Sequence, residues 1–463
     1  SVKKILYAKQ WMRIYTDTIF EKNLSADLNP KSSELSNRLL FENALTVVKN
    51  EADLIPLKRL DTTKIASVVI GEKSPNDFQK GLSRYTKVAH FGISKKASKE
   101  NINALLNKLK GYDKVIVSIH GTKMNGSYGV FKNDIVILNL IAKKHQVILN
   151  YPTNAYALSK LGDAKNIESI IVSYEDNEFT QDLVGQLIFG GIGAKGKLPV
   201  TGSAQFPVET GIQTESIRFK YTMPEELGIP SAKLGGIGWI AREAIKDGAF
   251  PGCQILVAKK GKVIYQENFG NYTYSAGSKK VNNQTLYDLA SITKIGATTA
   301  ILMKMVENKE IDLNKTLGDY LPEYVKGTAY ESIILKEMLT HQAQFKPWIP
   351  FYSATLDENG NLNKPFYSNT KTKFYNSEVA KNIYIFKNYN KAILTRIVST
   401  ELLADKKYRY SDLGYYFLKE IIENKFKRSL DFVADSLYYK PLGLQFTTYN
   451  PLHKFDKNQI APT

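Results

Sequence analysis

The sequence predicts an α/β chain: an α/β sandwich with a mostly parallel sheet, followed by an α+β unit. Three observations carry this. Short apolar runs alternate with amphipathic segments between residues 65 and 174. A stretch rich in Pro, Gly and polar residues, 203–230, then breaks all periodicity. After it come a hairpin signature and longer helical periods.

The elements follow in order. Residues 1–38 read as a helical leader closed by the polar turn "LNPKSSE". "LSNRLLFENALTVVKN" has apolar residues at helical spacing and reads as one helix. Five β-rich runs come next: "IASVVIG" (65–71), "KVAHFGI" (87–93), "KVIVSIH" (114–120), "QVILNY" (146–151) and "SIIVSY" (169–174). Their apolar residues are nearly continuous, which suits strands covered on both faces. "ASKENINALLNKLKG" and "NDIVILNLIAKKH" are the helices between them. The unit closes in "DLVGQLIFGGIGAKGKLPVTG" (182–202), a helix stopped by glycines before an extended Leu-Pro-Val segment. The second unit opens with the helix "SAKLGGIGWIAREAIKDGAFPG" and the strands of "CQILVAKKGKVIYQENFG", turned at "KKGK". These signals predict a leader over 1–38, a sandwich over 39–215, a linker over 216–230 and the second unit over 231–463.

Composition narrows the function classes. The chain has 463 residues, 43% hydrophobic and 11% aromatic, enough for two cores. The net charge is +18, but the lysines are scattered, so nucleic acid is not expected as a partner. The charge reads first as the solvated surface of a lysine-rich chain; as a partner, an anionic cell-wall polymer fits better than DNA. No run of about 18 apolar residues occurs, so no transmembrane segment is expected. The single Cys253 lies in an apolar strand and excludes a disulfide framework. The five His are dispersed, so no metal site and no cofactor are implied. The oligomeric state stays open.

The chemistry concentrates in "LASITKIGATTAILMKMVE" (289–307). Ser291 and Lys294 are three residues apart and share one helix face, about 5–6 Å apart at Cβ. A serine at a helix N-terminus gains the dipole as its hydroxyl is deprotonated. A lysine desolvated among Ile292, Ile295, Ala297 and Ala300 should have a lowered pKa and accept that proton. Alone, this spacing is a weak signal in a lysine-rich chain.

The flanks strengthen it. "LYDLASITK", "LKEMLTHQAQFKPW" and "YRYSDLGYYFLKEIIE" occur in that order. Together they resemble the serine beta-lactamase-like superfamily: class C beta-lactamases, their esterase relatives and penicillin-binding proteins. The resemblance covers 231 to the chain end. It implies an α+β fold, Ser291 as acylated nucleophile, and Lys294 with Tyr410 sharing general-base duty. The family's Tyr-x-Asn falls on Tyr410-Ser411-Asp412. Asp412 therefore replaces a substrate-binding amide by a carboxylate, which disfavours a lactam and favours another substrate. Trp348 and Tyr352 are candidates for the cleft wall, and His341 reads as packing. The third family motif, Lys-Thr-Gly or His-x-Gly, does not occur from 413 to 463. The expectation is an incomplete domain within a longer protein.

"LFENALTVVKNEADLIPL" and "LVGQLIFGGIGAKGKLPVT" resemble the entry and exit of the C-terminal α/β sandwich of family 3 glycoside hydrolases. This resemblance covers roughly 1–215 and implies a catalytic barrel upstream. The loop "HGTKMNGSYGVFKND" (120–134) has no Glu, which favours the beta-N-acetylglucosaminidase branch over beta-glucosidases. His120 reads as a satisfied strand-end histidine, and Glu175-Asp176 as a solvated strand end. The two resemblances together imply a bacterial cell-wall-turnover hydrolase, a beta-N-acetylglucosaminidase fused to a serine amidase or esterase acting on muropeptides. A penicillin-binding-type peptidase, esterase or lactamase is the alternative, or a non-catalytic peptidoglycan-binding module. Peptidoglycan or a muropeptide is the expected substrate, and a periplasmic or envelope location follows from it.

Overall fold

A computed structural model describes residues 2–12 and 30–462. The leader expectation therefore lies partly outside the described residues. Within them, helix α1 spans Val2–Trp11. The predicted polar turn is already helical from Lys31: Pro30, with φ near −67°, caps α2, Lys31–Ala44. Pro is compatible with a helix start because its missing N–H has no partner there.

The chain divides into two compact units. The first holds Ser1–Lys58, Thr63–Ala249 and Gln254–Glu267; the second holds Arg59–Thr62, Phe250–Cys253 and Asn268–Thr463.

The first unit is built on a six-stranded sheet, β1 (Thr46–Asn50), β2 (Ile65–Ile70), β3 (Val88–Ile93), β4 (Lys114–Ile119), β5 (Gln146–Tyr151) and β6 (Ser169–Val172). The order is β1-β6-β5-β4-β2-β3, and every pairing is parallel except β1 with β6. All five predicted strands are present. The sixth corrects the long predicted helix: "LSNRLLFENA" stays helical, but Thr46–Asn50 leaves it to pair with β6. The β-branched pair Val47-Val48 gains more on a covered sheet edge than in a helix, and both are buried.

Helices α3 (Asp77–Leu82), α4 (Lys99–Leu109), α5 (Lys132–Ala142) and α6 (Glu178–Phe189) cover the sheet. Ala66, Val68, Ile70, Val115, Val117, Val147 and Leu149 pack with Ile102, Leu106, Ile137 and Leu138 of α4 and α5 in one core. The nearly continuous apolar strands are thus buried on both faces, as a parallel sheet requires.

Residues 216–230 are laid along this unit. The Arg218 guanidinium donates to the carbonyls of Leu57, Phe189 and Lys58. Strand β7 (Lys220–Tyr221) pairs parallel with the hairpin of β8 (Gly252–Lys259) and β9 (Lys262–Gly270), in the order β7-β9-β8. Helix α7 (Ser231–Lys246) precedes the hairpin. The hairpin turn is Lys260-Gly261, both at positive φ, the two-residue form that matches strand twist.

The second unit is mainly helical. A π-helical segment, Lys294–Thr299, continues into α8, Ala300–Glu307. Helices α9 (Leu335–Leu339), α10 (Tyr389–Val398), α11 (Leu413–Phe426) and α12 (Leu430–Ala434) pack around it. Ala297, Ile301, Met305, Met338, Ile397 and Phe417 share its core. A small antiparallel sheet, β10 (Tyr367–Ser368), β11 (Tyr375–Ala380) and β12 (Ile383–Phe386), adds the β component. The fold is mixed α/β, with a parallel-rich sheet in one unit and a helix-rich second unit. Among the described residues, no helix is long and apolar enough to cross a membrane.

Candidate active site

The site is assembled by two short backbone devices. The first presents Ser291. Ala290 takes a positive φ of 43°, uncommon for a residue with a side chain. Its N–H is held by the Asp288 carboxylate at 2.8 Å. Single-turn bonds from Ile292, Thr293 and Lys294 to Leu289, Ala290 and Ser291 then start the helix. Ser291 is exposed at that N-terminus, where the dipole favours negative charge.

The helix next widens. In Lys294–Thr299 the bonds run five residues apart, a widening frequent at functional sites. Two tyrosine hydroxyls from 435–439 serve its carbonyls. Tyr439 donates to Gly296 O at 3.0 Å, and Tyr438 to Ala300 O at 2.7 Å.

The second device presents Tyr410 and Asp412 just before α11. Ser411 is buried, and its hydroxyl donates to Lys346 O at 2.7 Å. The same oxygen accepts from Leu413 N at 3.1 Å. Asp412 N donates to Pro347 O at 2.9 Å. Gly414 follows, and its lack of a side chain lets α11 seat closely: a Cβ there would lie 3.1 Å from Phe345 and 3.2 Å from Met338.

These devices bring four predicted residues together: Ser291, Lys294, Tyr410 and Asp412. Lys294 Nζ donates to Ser291 Oγ at 3.0 Å. The same ammonium lies 2.6 Å from Asp412 Oδ1, an ion pair whose angle is not that of an aligned hydrogen bond. It sits 5.3 Å from the centre of the Tyr410 ring and 5.7 Å from that of Tyr415. The Lys294 side chain is mostly buried, at 16% exposure, while Asp412 is 41% exposed.

The electrostatics correct one expectation. Burial does press the Lys294 pKa down, as the apolar helix suggested. The Asp412 carboxylate and the Tyr410 phenol outweigh it, and the pKa is raised above the ordinary lysine value. The apolar cage is also thinner than expected, because Ile292 and Ile295 are 58% and 67% exposed. Lys294 is therefore an ammonium at rest, donating to Ser291 rather than accepting from it.

Trp348 and Tyr352 are exposed, at 58% and 61%. Trp348 is next to Pro347, whose carbonyl holds Asp412 N, so that segment runs beside the site. Among the described residues, no hydrogen bond or ring contact joins Tyr352 to Ser291, Lys294 or Tyr410; its carbonyl accepts from Thr355. His341 does more than pack. Its ring centre is 4.5 Å from that of Tyr410, and its Nδ1 accepts from Ser411 N at 3.2 Å. The sequence signal was the dipeptide Thr340-His341, which does not reveal a hydrogen bond reaching seventy residues ahead.

In the first unit, His120 is buried, as expected for a satisfied histidine, with Asp176 Oδ1 at 2.9 Å and Glu72 Oε2 at 3.2 Å from Nδ1. Asp176 is thereby not the solvated carboxylate predicted. It also accepts from Gly121 N and Gln181. Burial opposes its ionisation, but these donors and His120 hold its pKa below the usual carboxylate value. Among the described residues, no group of three or more His, Cys, Asp or Glu could hold a metal ion.

Comparison with known proteins places the geometry. Residues 240–460 match the family model described as Beta-lactamase. A curated relative from Salmonella agona, "Putative D-alanyl-D-alanine carboxypeptidase", is 31% identical over 255 residues, which are 52% of this chain and 53% of the relative. The chain thus spans about half the length of the curated relatives it matches. The octameric penicillin-binding protein homologue of Pyrococcus abyssi is 21% identical, with a TM-score of 0.37 over 49% of this chain and 47% of that one. A family 3 beta-N-acetylglucosaminidase of Paenibacillus sp. is 16% identical, with a TM-score of 0.32 over 46% of this chain and 39% of that one. Likenesses at those TM-scores decide nothing about fold or function. The family match and the curated relatives mark a beta-lactamase-like domain and a hydrolase.

Proposed function

We propose that the beta-lactamase-like domain is a serine amidase or esterase that acts on muropeptides through an acyl-enzyme on Ser291. One observation carries the reading: Lys294 Nζ lies 3.0 Å from Ser291 Oγ, with Asp412 and Tyr410 around the same ammonium. In the proposed reaction, Ser291 Oγ forms a bond to the substrate's acyl carbon and the amine or alcohol leaves. The leaving group takes a proton, and water then breaks the ester and restores the serine. A base must first accept the serine proton. We assign that duty jointly to Tyr410 and Lys294, whose ammonium lies 5.3 Å from the Tyr410 ring centre, with Lys294 relaying the proton. Asp412, Trp348 and Tyr352 are proposed to meet the substrate. Their exposure leaves them free to do so.

The names of the curated relatives favour a second reading within the same chemistry, a D-alanyl-D-alanine carboxypeptidase of the penicillin-binding type. Residues 39–215 are proposed to be the sandwich of a family 3 glycoside hydrolase, with 216–230 as linker and 231–463 as the serine hydrolase. The entry and exit motifs and the parallel sheet support that reading. An envelope location follows from the substrate. The test is covalent labelling with a fluorophosphonate and with a penicillin, with Ser291→Ala as control. Label on wild type alone supports the acyl-enzyme. Equal labelling of both proteins rejects it. Digestion of purified muropeptides then separates release of the whole peptide from release of its terminal D-alanine.

A further inference from the structure

His341 occupies an unusual position for a packing residue. Its own backbone is left-handed, with φ 57°, a region where Asn, Asp and His are enriched among residues with side chains. That twist turns both its carbonyl and its ring toward the same short stretch. The carbonyl accepts from Arg409 N at 2.8 Å. Nδ1 accepts from Ser411 N at 3.2 Å. The ring lies against Tyr410 between them, centre to centre 4.5 Å. Three consecutive residues are therefore held by one side chain and one peptide unit, and the middle one carries the phenol at Lys294.

The hydrogen bond fixes the ring's state. A backbone N–H can only donate, so Nδ1 must carry a lone pair and the proton of the neutral ring sits on Nε2. A second proton would occupy Nδ1 and set two donors against each other. We propose that His341 is a positioning residue whose unprotonated Nδ1 holds Tyr410 in the site, and that protonation of this nitrogen releases the 409–411 turn.

The surroundings fit that role. The groups facing the ring are Tyr408, Tyr410 and Tyr415, with Lys294 and Asp412 beyond them. Burial, then the Lys294 charge, push the His341 pKa below the ordinary imidazole value; the Ser411 backbone contact and Asp412 oppose them without prevailing. The ring is thus neutral at neutral pH. Asparagine makes a discriminating replacement. Its side-chain oxygen can accept from Ser411 N, it tolerates positive φ, and it does not titrate.

The kinetic half of this proposal rests on Ser291 being the nucleophile; the structural half does not. The experiment compares wild type, His341→Asn and His341→Ala as full chains across pH 4.5–8. Two readouts are taken: the rate of fluorophosphonate labelling, and hydrogen–deuterium exchange in the peptide spanning 409–413. Wild type should lose labelling rate and exchange protection together as pH falls below about 6.5. His341→Asn should rescue labelling near neutral pH and show a flatter acid limb in both readouts. His341→Ala should label roughly 10- to 100-fold more slowly at every pH, the scale of a misplaced reacting group. An unchanged acid limb in His341→Asn overturns the proposal. If wild type never labels, the acyl-enzyme reading fails, and exchange alone decides. Protection in 409–413 that falls with acid in wild type but not in His341→Asn still supports the clamp; identical exchange in the two proteins overturns it.

Discussion

The Lys294 ammonium lies 2.6 Å from Asp412 Oδ1, so the amine one turn from Ser291 carries its charge in the resting site. A family asparagine at this position would hydrogen-bond a substrate amide. The aspartate instead spends part of its acceptor capacity on the lysine, and the site's first effect is to hold a positive charge beside a hydroxyl and a phenol.

Replacing Asp412 by Asn removes the main group that raises the Lys294 pKa. The midpoint for deprotonation of Lys294, followed by reductive methylation and carbon-13 NMR, should move down in Asp412→Asn. A raised lysine pKa stabilises the folded state below the unfolded value, and this contribution is lost as pH rises through the folded value. Asp412→Asn should therefore flatten the alkaline decline in stability expected of wild type. An unmoved midpoint would show that the pair is not what holds the charge.

Lys294→Ala and Tyr410→Phe each remove one partner in proton handling. Each should slow acylation of Ser291 by about 10²- to 10⁴-fold, the usual scale for a lost general acid–base group. Their effects should be far from additive, because both act on one proton. Stopped-flow labelling of the two single variants and the double variant measures this. A fully additive double variant would separate the two roles.

Gly414→Val places carbon where 3.1 Å separates an added Cβ from the Phe345 ring and 3.2 Å from Met338. Overpacking of this kind costs about 1–3 kcal/mol. Since Asp412 lies just before Gly414, calorimetry should show a lower Tm and labelling should slow as well. Full stability in Gly414→Val would mean that α11 can shift without loss.

Glu226 makes a prediction for the first unit. Its carboxylate accepts from Lys220 at 2.7 Å and from Lys262 at 2.6 Å. Burial opposes its ionisation, but these lysines and Thr222 prevail, and its pKa is pushed down to about 2. The stabilisation is complete above the unfolded carboxylate value of about 4.5 and is lost as pH falls toward 2. Urea midpoints taken over that window should fall in wild type and fall less in Glu226→Gln. Equal acid sensitivity would place the acid-labile group elsewhere.

Much of the fold was legible because its signals are local. "IASVVIG" and "QVILNY" read as covered strands from composition alone, and the Lys260-Gly261 turn follows from the "KKGK" tetrapeptide. Val47 and Val48 were misread because their neighbours have good helical spacing and their strand partner is β6, more than 120 residues away. The Ser291–Lys294 pair was visible in sequence, but the direction of the lysine's pKa was not. It depends on how far Asp412 folds back, a distance that no spacing encodes. His120 with Asp176 shows the same limit: each looked ordinary until the residues after β4 and after β6, two strands with β5 between them, met at one end of the sheet.

The widened turn at Lys294–Thr299 has a consequence for how this stretch tolerates change. One residue beyond the ordinary helical repeat rotates everything before it by about 100° relative to everything after it. Ser291 and Lys294 lie on one side of that offset; Ile301 and Met305, pinned in the core, lie on the other. Removing Ile295, exposed within the segment, would keep Ser291, Lys294 and the buried Ile301 and Met305, yet swing them out of phase. The tyrosines at 438 and 439, far along the chain, thus act as wardens of phase: by occupying the carbonyls of Gly296 and Ala300 they keep nucleophile and core on a shared clock.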